Sequence, residues 1–242
     1  MFGLGTLLNV GAIIAGGLLG FLFGKLLKER HQDSLSKACG ICTLFIGIAG
    51  AMEGMLRMEE GSLVSGQGLL VVGCLALGAL VGELLNIEAL FERFGTWLKN
   101  KTGNSKDKGF VDGFVTASLT VSIGAMAIVG SIEDGLTGDF SILATKAVLD
   151  FIIILVMTGS MGKGCIFSAI PVTVLQGAVT ALAVVIKPIM TDAALRNLSL
   201  VGNILIFCVG INLVFGRKIR VANLLPAVVL AVVCAFLPVG IF

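Results

Sequence analysis

The stretch that decides the fold is Ser141-Ile-Leu-Ala-Thr-Lys-Ala-Val-Leu-Asp-Phe-Ile-Ile-Ile-Leu-Val-Met157, a long apolar run interrupted by two charges. Its length and composition predict a helix that spans a lipid bilayer. An ionisable group near the centre of such a helix costs at least ~2.5–3.5 kcal/mol, so it is rare without a purpose. Lys146 and Asp150 are spaced i,i+4, which places them on one face of the helix and near enough to pair. The pair is either a functional site or a structural ion pair that fixes helix packing.

The composition of the whole chain is that of a membrane protein. Of its 242 residues, 57% are hydrophobic and 13% are charged, and the mean hydropathy is +1.06. Soluble domains carry about 25% charged residues. The length leaves room for about eight spans of ~20 residues, so we predict a single integral membrane domain with an all-α, polytopic fold. No cationic segment precedes the first apolar run, which predicts a span and not a cleaved signal peptide.

Hydropathy divides the chain into eight predicted spans and one amphipathic segment. The spans are predicted at residues 4–27, 36–56, 66–86, 110–131, 140–160, 165–187, 198–216 and 222–241. Between the third and fourth spans, apolar and charged side chains take opposite faces at helical spacing. The apolar face holds Ile87, Leu90, Phe91, Phe94, Trp97 and Leu98, and the other face holds Glu88, Glu92, Arg93 and Lys99. Residues 87–108 are therefore predicted to form a helix lying in the membrane interface and a polar linker.

The distribution of basic residues predicts the orientation of the chain. If the N-terminus is outside, 13 of the 17 Lys and Arg residues fall on cytoplasmic loops and only three on outer loops, with Lys146 inside a span. This asymmetry is a strong positive-inside signal. Both termini are therefore predicted to face away from the cytoplasm. The same model leaves seven acidic residues on the outer loops, which either attract cations or only complete the topology signal.

Two parts of the chain resemble each other. Residues 35–48 align with residues 198–211 at a constant offset of 163, and Cys74 falls opposite Cys234 after a short deletion. We interpret residues 1–86 and 165–242 as two copies of a three-helix unit that flank two central helices at 109–164. Because five spans separate equivalent helices, the copies are predicted to be inverted. Such repeats are common in transporters, which bind their substrates near the midplane between the halves.

Polar side chains inside the predicted spans are the remaining site candidates. Thr116 and Thr120 form an i,i+4 row with Gly124, suited either to a polar pathway or to close packing. Gln176 in span 6 and Asn9 in span 1 carry amides, and an amide in hydrocarbon needs a partner. After span 4, Glu133 and Asp134 are candidates for an outer gate. Asp139 or Ser141 is placed to cap the N-terminus of span 5.

The sequence offers little from which to build an enzyme. His31 is the single histidine and lies among charged residues, and the chain has no Tyr. Cys39 and Cys42 form a CxxC without a second Cys/His pair, so we interpret the six cysteines as small reduced thiols. No nucleophile is paired with a base. We therefore expect no catalytic residue, no metal site, no cofactor and no nucleic-acid partner.

The run from Gly124 to Asp150 resembles a bacterial membrane family of the YdfK/YqgA type, domain of unknown function 554. Residues 8–20, the Gly82-Glu83 pair and residues 168–176 are similar as well. Lys146 and Asp150 match the family's central run, Asn9 its first-span Asn and Gln176 its sixth-span Gln. The resemblance spans nearly the whole chain and implies a multi-pass protein of the bacterial cytoplasmic membrane. It brings no established substrate.

These observations lead to two functional hypotheses. The first is a small secondary transporter or channel for an ion or small polar solute, centred on Lys146 and Asp150 and lined by the polar faces of spans 1, 4 and 6. The alternative is a non-transport membrane protein, an assembly or regulatory partner whose polar residues only hold helices together. Both expect the lipid bilayer as a partner, and the small size is compatible with a homodimer. Whether Asp150 meets a water-accessible cavity or is sealed against helices discriminates them.

Overall fold

A computed structural model describes residues 3–24, 26, 28–59, 61–122 and 125–237, with the side chains of residues 29 and 125 left aside. Helices dominate the described part. They are α1 Leu4–Gly24, α2 Glu29–Met55, α3 Gly68–Leu85, α4 Ile87–Lys101, α5 Phe110–Ser122, α6 Ala125–Leu136, α7 Ser141–Met161, α8 Ala169–Ala181, α9 Ala183–Ile186, α10 Asp192–Phe215 and α11 Leu225–Cys234. Two short strands, β1 Leu56–Glu59 and β2 Ser62–Ser65, form an antiparallel hairpin between α2 and α3.

The helices are those of a polytopic membrane protein. Within the described residues, six helical segments are long and apolar enough to cross a membrane, and α5 with α6 makes a seventh if the bent pair counts as one span. An eighth apolar helix, at residues 221–234, is shorter. Much of the apolar surface faces outward: Leu22, Phe45 and Leu84 are more than half exposed. Exposed apolar helices of this length are stable in lipid, which confirms the all-α membrane fold.

Three predicted spans differ in detail from the structure. The predicted helix over 110–131 is two helices, α5 and α6, whose axes differ by 62°. The predicted span 165–187 begins with a 3-10 turn at Lys163–Ser168 and continues as α8 and α9. The predicted span 222–241 is a 3-10 turn and α11, and its last residues, from 238, lie outside the described part of the chain. Hydropathy locates an apolar segment but does not report where a helix bends or tightens.

Helices α1 and α7 pack side by side in the same direction. Gly16, Gly20 and Gly24 lie against the main-chain carbonyls of Phe151, Leu155 and Gly159 respectively, so residue numbers rise together along both helices. Absent Cβ atoms at successive i+4 positions let the two backbones approach closely, as in other membrane helix pairs. This close packing sets the depth of α7, which carries the charged pair, relative to α1.

Two other helix pairs run in opposite directions. Along α2 and α10, Gly47 lies against Phe207 and Gly40 against Leu213, so numbers rise in one helix as they fall in the other. Along α3 and α11, Gly78 lies against Ala227, and the sulfurs of Cys74 and Cys234 are 3.9 Å apart. The parallel α1–α7 pair and both antiparallel pairs agree with a chain that alternates direction through eight crossings.

The amphipathic segment is a helix, as predicted. Asn86 adopts a left-handed conformation, φ 49°, at the end of α3, so the chain turns directly into α4. Asn tolerates this conformation better than most residues. Leu90 and Trp97 are exposed on the outer side of α4, and Leu98 is buried against the bundle. The apolar side chains of α4 thus serve both the protein core and the surrounding lipid.

Candidate functional site

The ion pair on α7 is buried in the bundle. Lys146 Nζ donates to Asp150 Oδ2 at 2.5 Å, and the side chains are only 8% and 4% exposed. Side chains on a helix lean toward its N-terminus, which brings the Asp150 carboxylate beneath Lys146 one turn earlier. At 1.5 Å per residue, Asp150 lies about 14 Å along the 21-residue helix. The carboxylate is therefore close to the middle of the span.

The same ammonium group binds the end of another helix. Lys146 Nζ also donates to the main-chain carbonyl of Val121, at 2.8 Å. Val121 lies in the last turn of α5, which is described to Ser122, and α6 follows from Ala125 with its axis turned by 62°. Carbonyls in the last turn of a helix carry the negative end of its dipole, which favours a bound ammonium group. The sequence pattern, which predicted one continuous span, gave no sign of this contact.

Two buried amides lie on α1 and α8, and the one on α1 is beside the ion pair. The Asn9 side chain on α1 interacts with the Asp150 carboxylate, but neither its nitrogen nor its oxygen makes a well-formed hydrogen bond within the described residues. Gln176 on α8 is also buried, and both of its polar atoms are without a partner in the same part of the chain. Thr6 and Thr180 hydroxyls, 3.5 Å apart, join α1 and α8 near these amides. Each unsatisfied buried amide is a candidate group for binding a polar ligand.

Thr116 and Thr120 do not meet the ion pair through their hydroxyls. Thr120 Oγ1 donates to the carbonyl of Thr116, 2.8 Å away in its own helix. Thr116 lines a cavity of about 200 Å³ that also holds Asp112, Asn212 and Arg217. Gly124, the third member of the predicted row, lies outside the described residues. Of the described members of the row, Thr116 alone therefore lines this cavity, which reaches α5 as far as Leu119, two residues before Val121.

Glu133 and Asp134, the predicted gate residues, have separate environments. Asp134 is fully buried, and its Oδ2 accepts a hydrogen bond from the Gly5 main-chain nitrogen at 3.1 Å. A carboxylate at this position satisfies an unpaired N–H at the start of α1 and complements its dipole. Glu133 instead lines a cavity of about 400 Å³ with Asp139 and Lys187. Glu133 is thus the member of the pair that lines a cavity, and its role as a gate stays a prediction.

The N-cap of α7 is Phe140, without a side-chain cap hydrogen bond, and not Asp139 or Ser141 as predicted, but Asp139 lies one residue earlier and binds the first residue of the helix. Its Oδ1 accepts from both the main-chain nitrogen of Ser141, at 2.9 Å, and the Ser141 hydroxyl, at 2.6 Å. These hydrogen bonds lower the pKa of the Asp139 carboxyl below its ordinary value. The interaction orders the turn that leads into the helix of the ion pair.

A second polar network lies at the opposite end of the bundle, and the sequence patterns missed it. Arg217 binds Glu88 at 2.6 Å, forms a short hydrogen bond with Glu92 and lies 3.7 Å from Asp112. Burial by itself would lower the pKa of Arg217, but its hydrogen bonds with Glu92 and Glu88 raise it above the ordinary value. Arg217 therefore joins α4 and α5 to the segment after α10, and it lines the same cavity as Thr116.

Glu88 is the buried centre of this network. Its side chain is 6% exposed, although the amphipathic pattern had placed it on the polar face of α4. Glu88 Oε2 accepts from the Ala222 main-chain nitrogen at 3.0 Å, and the Glu88 nitrogen donates to Asn223 Oδ1 at 2.7 Å. The available sequence signal was an acidic residue at the first turn of a helix, where its charge also favours the helix dipole.

A third cavity is of another kind. It measures about 780 Å³ and lies between α4, α5, α6, α8, α10 and α11. Its walls are apolar side chains such as Phe91, Phe94, Val174 and Val229, with Ser122 as a polar exception. Such a surface suits hydrocarbon and offers almost nothing to bind a polar solute.

Comparison with known proteins places this arrangement in a family. The family model described as "Protein of unknown function (DUF554)" matches residues 4–236. The chain belongs to the DUF554 family. The "Uncharacterized membrane protein YdfK" of Bacillus subtilis (strain 168) is 30% identical over 232 residues, 96% of this chain and 95% of the relative. The "Uncharacterized protein YqgA" of Escherichia coli (strain K12) is 29% identical over 232 residues, 94% of each chain.

The comparisons confirm the resemblance drawn from the sequence. No solved structure matches this DUF554 protein. The name of the Bacillus subtilis relative states that it is a membrane protein, in agreement with the apolar helices described above. The groups that the structure brings together in its described part are a desolvated ion pair, the Val121 carbonyl that accepts from Lys146, and the amide of Asn9.

Proposed function

We propose that this DUF554 protein is a small secondary transporter or channel for an ion or small polar solute. The observation that carries the proposal is the buried Lys146–Asp150 pair, whose ammonium also donates to the Val121 carbonyl in the last turn of α5. An ion pair that served packing alone would need no helix end for an acceptor. Discontinuous helices whose unpaired carbonyls meet charge near the midplane are a recurring device of transporter sites.

The helix packing supports the inverted repeats on which the transport hypothesis relies. The α2–α10 and α3–α11 pairs, which the repeats make equivalent, pack in opposite directions, as an inverted arrangement requires. We expect residues 4–86 and 165–237 to superpose about a two-fold axis in the membrane plane. Copies related instead by an axis along the membrane normal would remove this support.

We further propose that the structure is an occluded conformation. Glu133 lines a cavity on the side that the predicted topology makes the outer one, and Thr116 lines a cavity on the inner side. The ion pair lies at a depth between them and lines neither cavity. Alternating access then requires a movement of α5 against α7, and the α5–α6 junction is the place where the span bends. In this proposal Asn9 and Gln176 face the route. The protein acts in the bacterial cytoplasmic membrane with both termini outside, because the basic loops then lie inside.

The sealed environment of the pair also favours the alternative, a non-transport membrane protein held together by its polar residues. Side-chain exposures of 8% and 4% are expected for a structural ion pair as well as for an occluded binding site. The two functions differ in whether activity depends on the charges themselves. The same set of variants decides between them.

The experiment is untargeted solute-flux screening in proteoliposomes with Lys146→Met, Asp150→Asn and the double variant. Removing one partner leaves an uncompensated buried charge, which in other proteins costs about 3–5 kcal/mol. Each single variant should then unfold or lose flux, and the double variant should be more stable than either. Lys37→Met with Asp33→Asn is the matched control, because that i,i+4 pair on α2 is exposed.

A transport site predicts that the double variant is stable and carries no solute. A stable double variant with full flux would show that Lys146 and Asp150 have a structural role only. No flux of any solute in the wild type, with folded protein in the vesicles, would instead favour the assembly or regulatory role. Mass measurement of the purified protein in detergent tests the proposed homodimer separately.

A further inference from the structure

The Lys146 ammonium lies between two oxygen atoms from different helices. One ligand is the Asp150 carboxylate at 2.5 Å and the other is the Val121 carbonyl at 2.8 Å. Carboxylate and main-chain carbonyl oxygens are the ligands that hard metal cations prefer. In membrane transporters, carbonyls at the C-terminal ends of broken helices coordinate small cations in the same way. The ammonium therefore stands where a cation would bind.

Neighbouring polar groups remain unsatisfied while Lys146 holds this position. Asn9, which interacts with Asp150, has an amide oxygen without a hydrogen-bond partner among the described residues. Ser118, on α5 one turn before Val121, is 1% exposed, and its hydroxyl is equally without a partner there. A lysine on a four-carbon stem approaches from one side and donates only along its three N–H bonds. A spherical cation accepts ligands from every side.

The net charge of the site favours a monovalent cation over a divalent one. Asp150 supplies one negative charge, and the other oxygens are neutral. Within the described residues, no three His, Cys, Asp or Glu side chains come together as a metal site. Divalent calcium sites gather several carboxylates, whereas one carboxylate balances one positive charge. An anion would meet the carboxylate and be repelled.

We infer that Lys146 is a tethered counter-ion and that a small monovalent cation of the alkali-metal class displaces it from Asp150. The inference rests on the proposed transport function and names its substrate class. Lys146 and the cation then exclude one another at the carboxylate, so one positive charge neutralises Asp150 in both states, and the displaced ammonium, which keeps its own charge, moves to water. Displacement frees the ammonium from Val121 and removes the link between α7 and the end of α5. Cation binding is thereby coupled to the movement that opens the site.

The test measures cation binding without relying on transport. The thermal midpoint of the purified full chain is compared in NaCl, KCl and choline chloride at equal ionic strength. Lys146→Met removes the competitor, so Na⁺ or K⁺ should raise its midpoint over choline by about 3–6 °C at ten times the dissociation constant. The wild type should shift less. Asp150→Asn and the double variant should show no alkali-specific shift, and Lys37→Met should behave as the wild type.

The outcomes separate this inference from the proposed function. A folded Lys146→Met variant without an alkali-specific shift overturns the inference, and flux of another solute would leave transport standing. Alkali stabilisation that is lost in Asp150→Asn, together with no flux, supports the cation site and refutes transport. If Lys146→Met does not fold, equilibrium binding of ²²Na⁺ decides: saturable binding to the wild type that Asp150→Asn abolishes supports the site, and absent binding overturns it.

Discussion

Substituting Gly78 by alanine tests the contact between α3 and α11, on which the inverted arrangement depends. A Cβ built at Gly78 would lie 2.5 Å from the Ala227 main-chain nitrogen and 2.6 Å from its Cα. Ordinary contact begins near 3.4 Å, so the two backbones would have to separate by about 0.9 Å. Backbone atoms of a packed helix cannot move aside as a flexible side chain does. Overpacking of this kind costs about 1–3 kcal/mol.

The same helix offers a matched control. A Cβ at Gly73 would meet nothing within 4 Å, so Gly73→Ala adds no clash and gains up to about 1 kcal/mol of helix propensity. At 2–4 °C per kcal/mol for a chain of this size, Gly78→Ala should lower the thermal midpoint by about 2–12 °C. Gly73→Ala should leave it unchanged or raise it.

Thermal unfolding of the two detergent-purified variants, followed by the loss of monodisperse protein, measures this difference. Equal midpoints for Gly78→Ala and Gly73→Ala would mean that α3 and α11 are not in backbone contact at this position. The α3–α11 equivalence would then lose its geometric basis, and with it part of the argument for transport.

Four further predictions concern other contacts. Arg217→Gln should destabilise the protein by about 1–2 kcal/mol, because Glu88 stays buried without its ion pair. Arg220 forms a largely exposed pair with Glu83, so Arg220→Gln should change the stability by less than about 0.5 kcal/mol in the same thermal unfolding experiment. In a variant that keeps only Cys74 and Cys234, copper-phenanthroline oxidation should join the two halves of a chain cut in the 102–108 linker, and failure to join them would contradict the α3–α11 packing. Reporter fusions after Lys101 and after Phe242 should report opposite sides of the membrane, and agreement between them would refute eight crossings. The Asp139 interaction has a lowered carboxyl pKa, so it should be complete above the ordinary carboxyl value and lost as pH falls through the lowered one. The protection factor of the amides in the first turn of α7, which is the intrinsic exchange rate divided by the measured one, should then fall in acid in the wild type, and a pH profile of protection identical to that of Asp139→Asn would contradict this.

The local patterns of the chain predicted most of the architecture. Lipid acts as a solvent on each segment separately, so hydropathy along the chain was enough to locate the membrane helices and the amphipathic α4. The i,i+4 spacing also fixed the Lys146–Asp150 pair, because both partners belong to one helix. What each of these predictions needed was the geometry of a single helix.

Partners from different helices were decided by the tertiary structure. The contact between Lys146 and the Val121 carbonyl joins α7 to α5. Hydropathy along the chain does not report which helices pack together or where an apolar segment bends. Glu88 meets Arg217 across a separation of 129 residues, and Asp134 meets Gly5 across the same separation. A helical period states which residues share a face but not which face of another helix it meets. The packing of all the helices together decides which faces meet, and so which groups contact the Lys146–Asp150 pair.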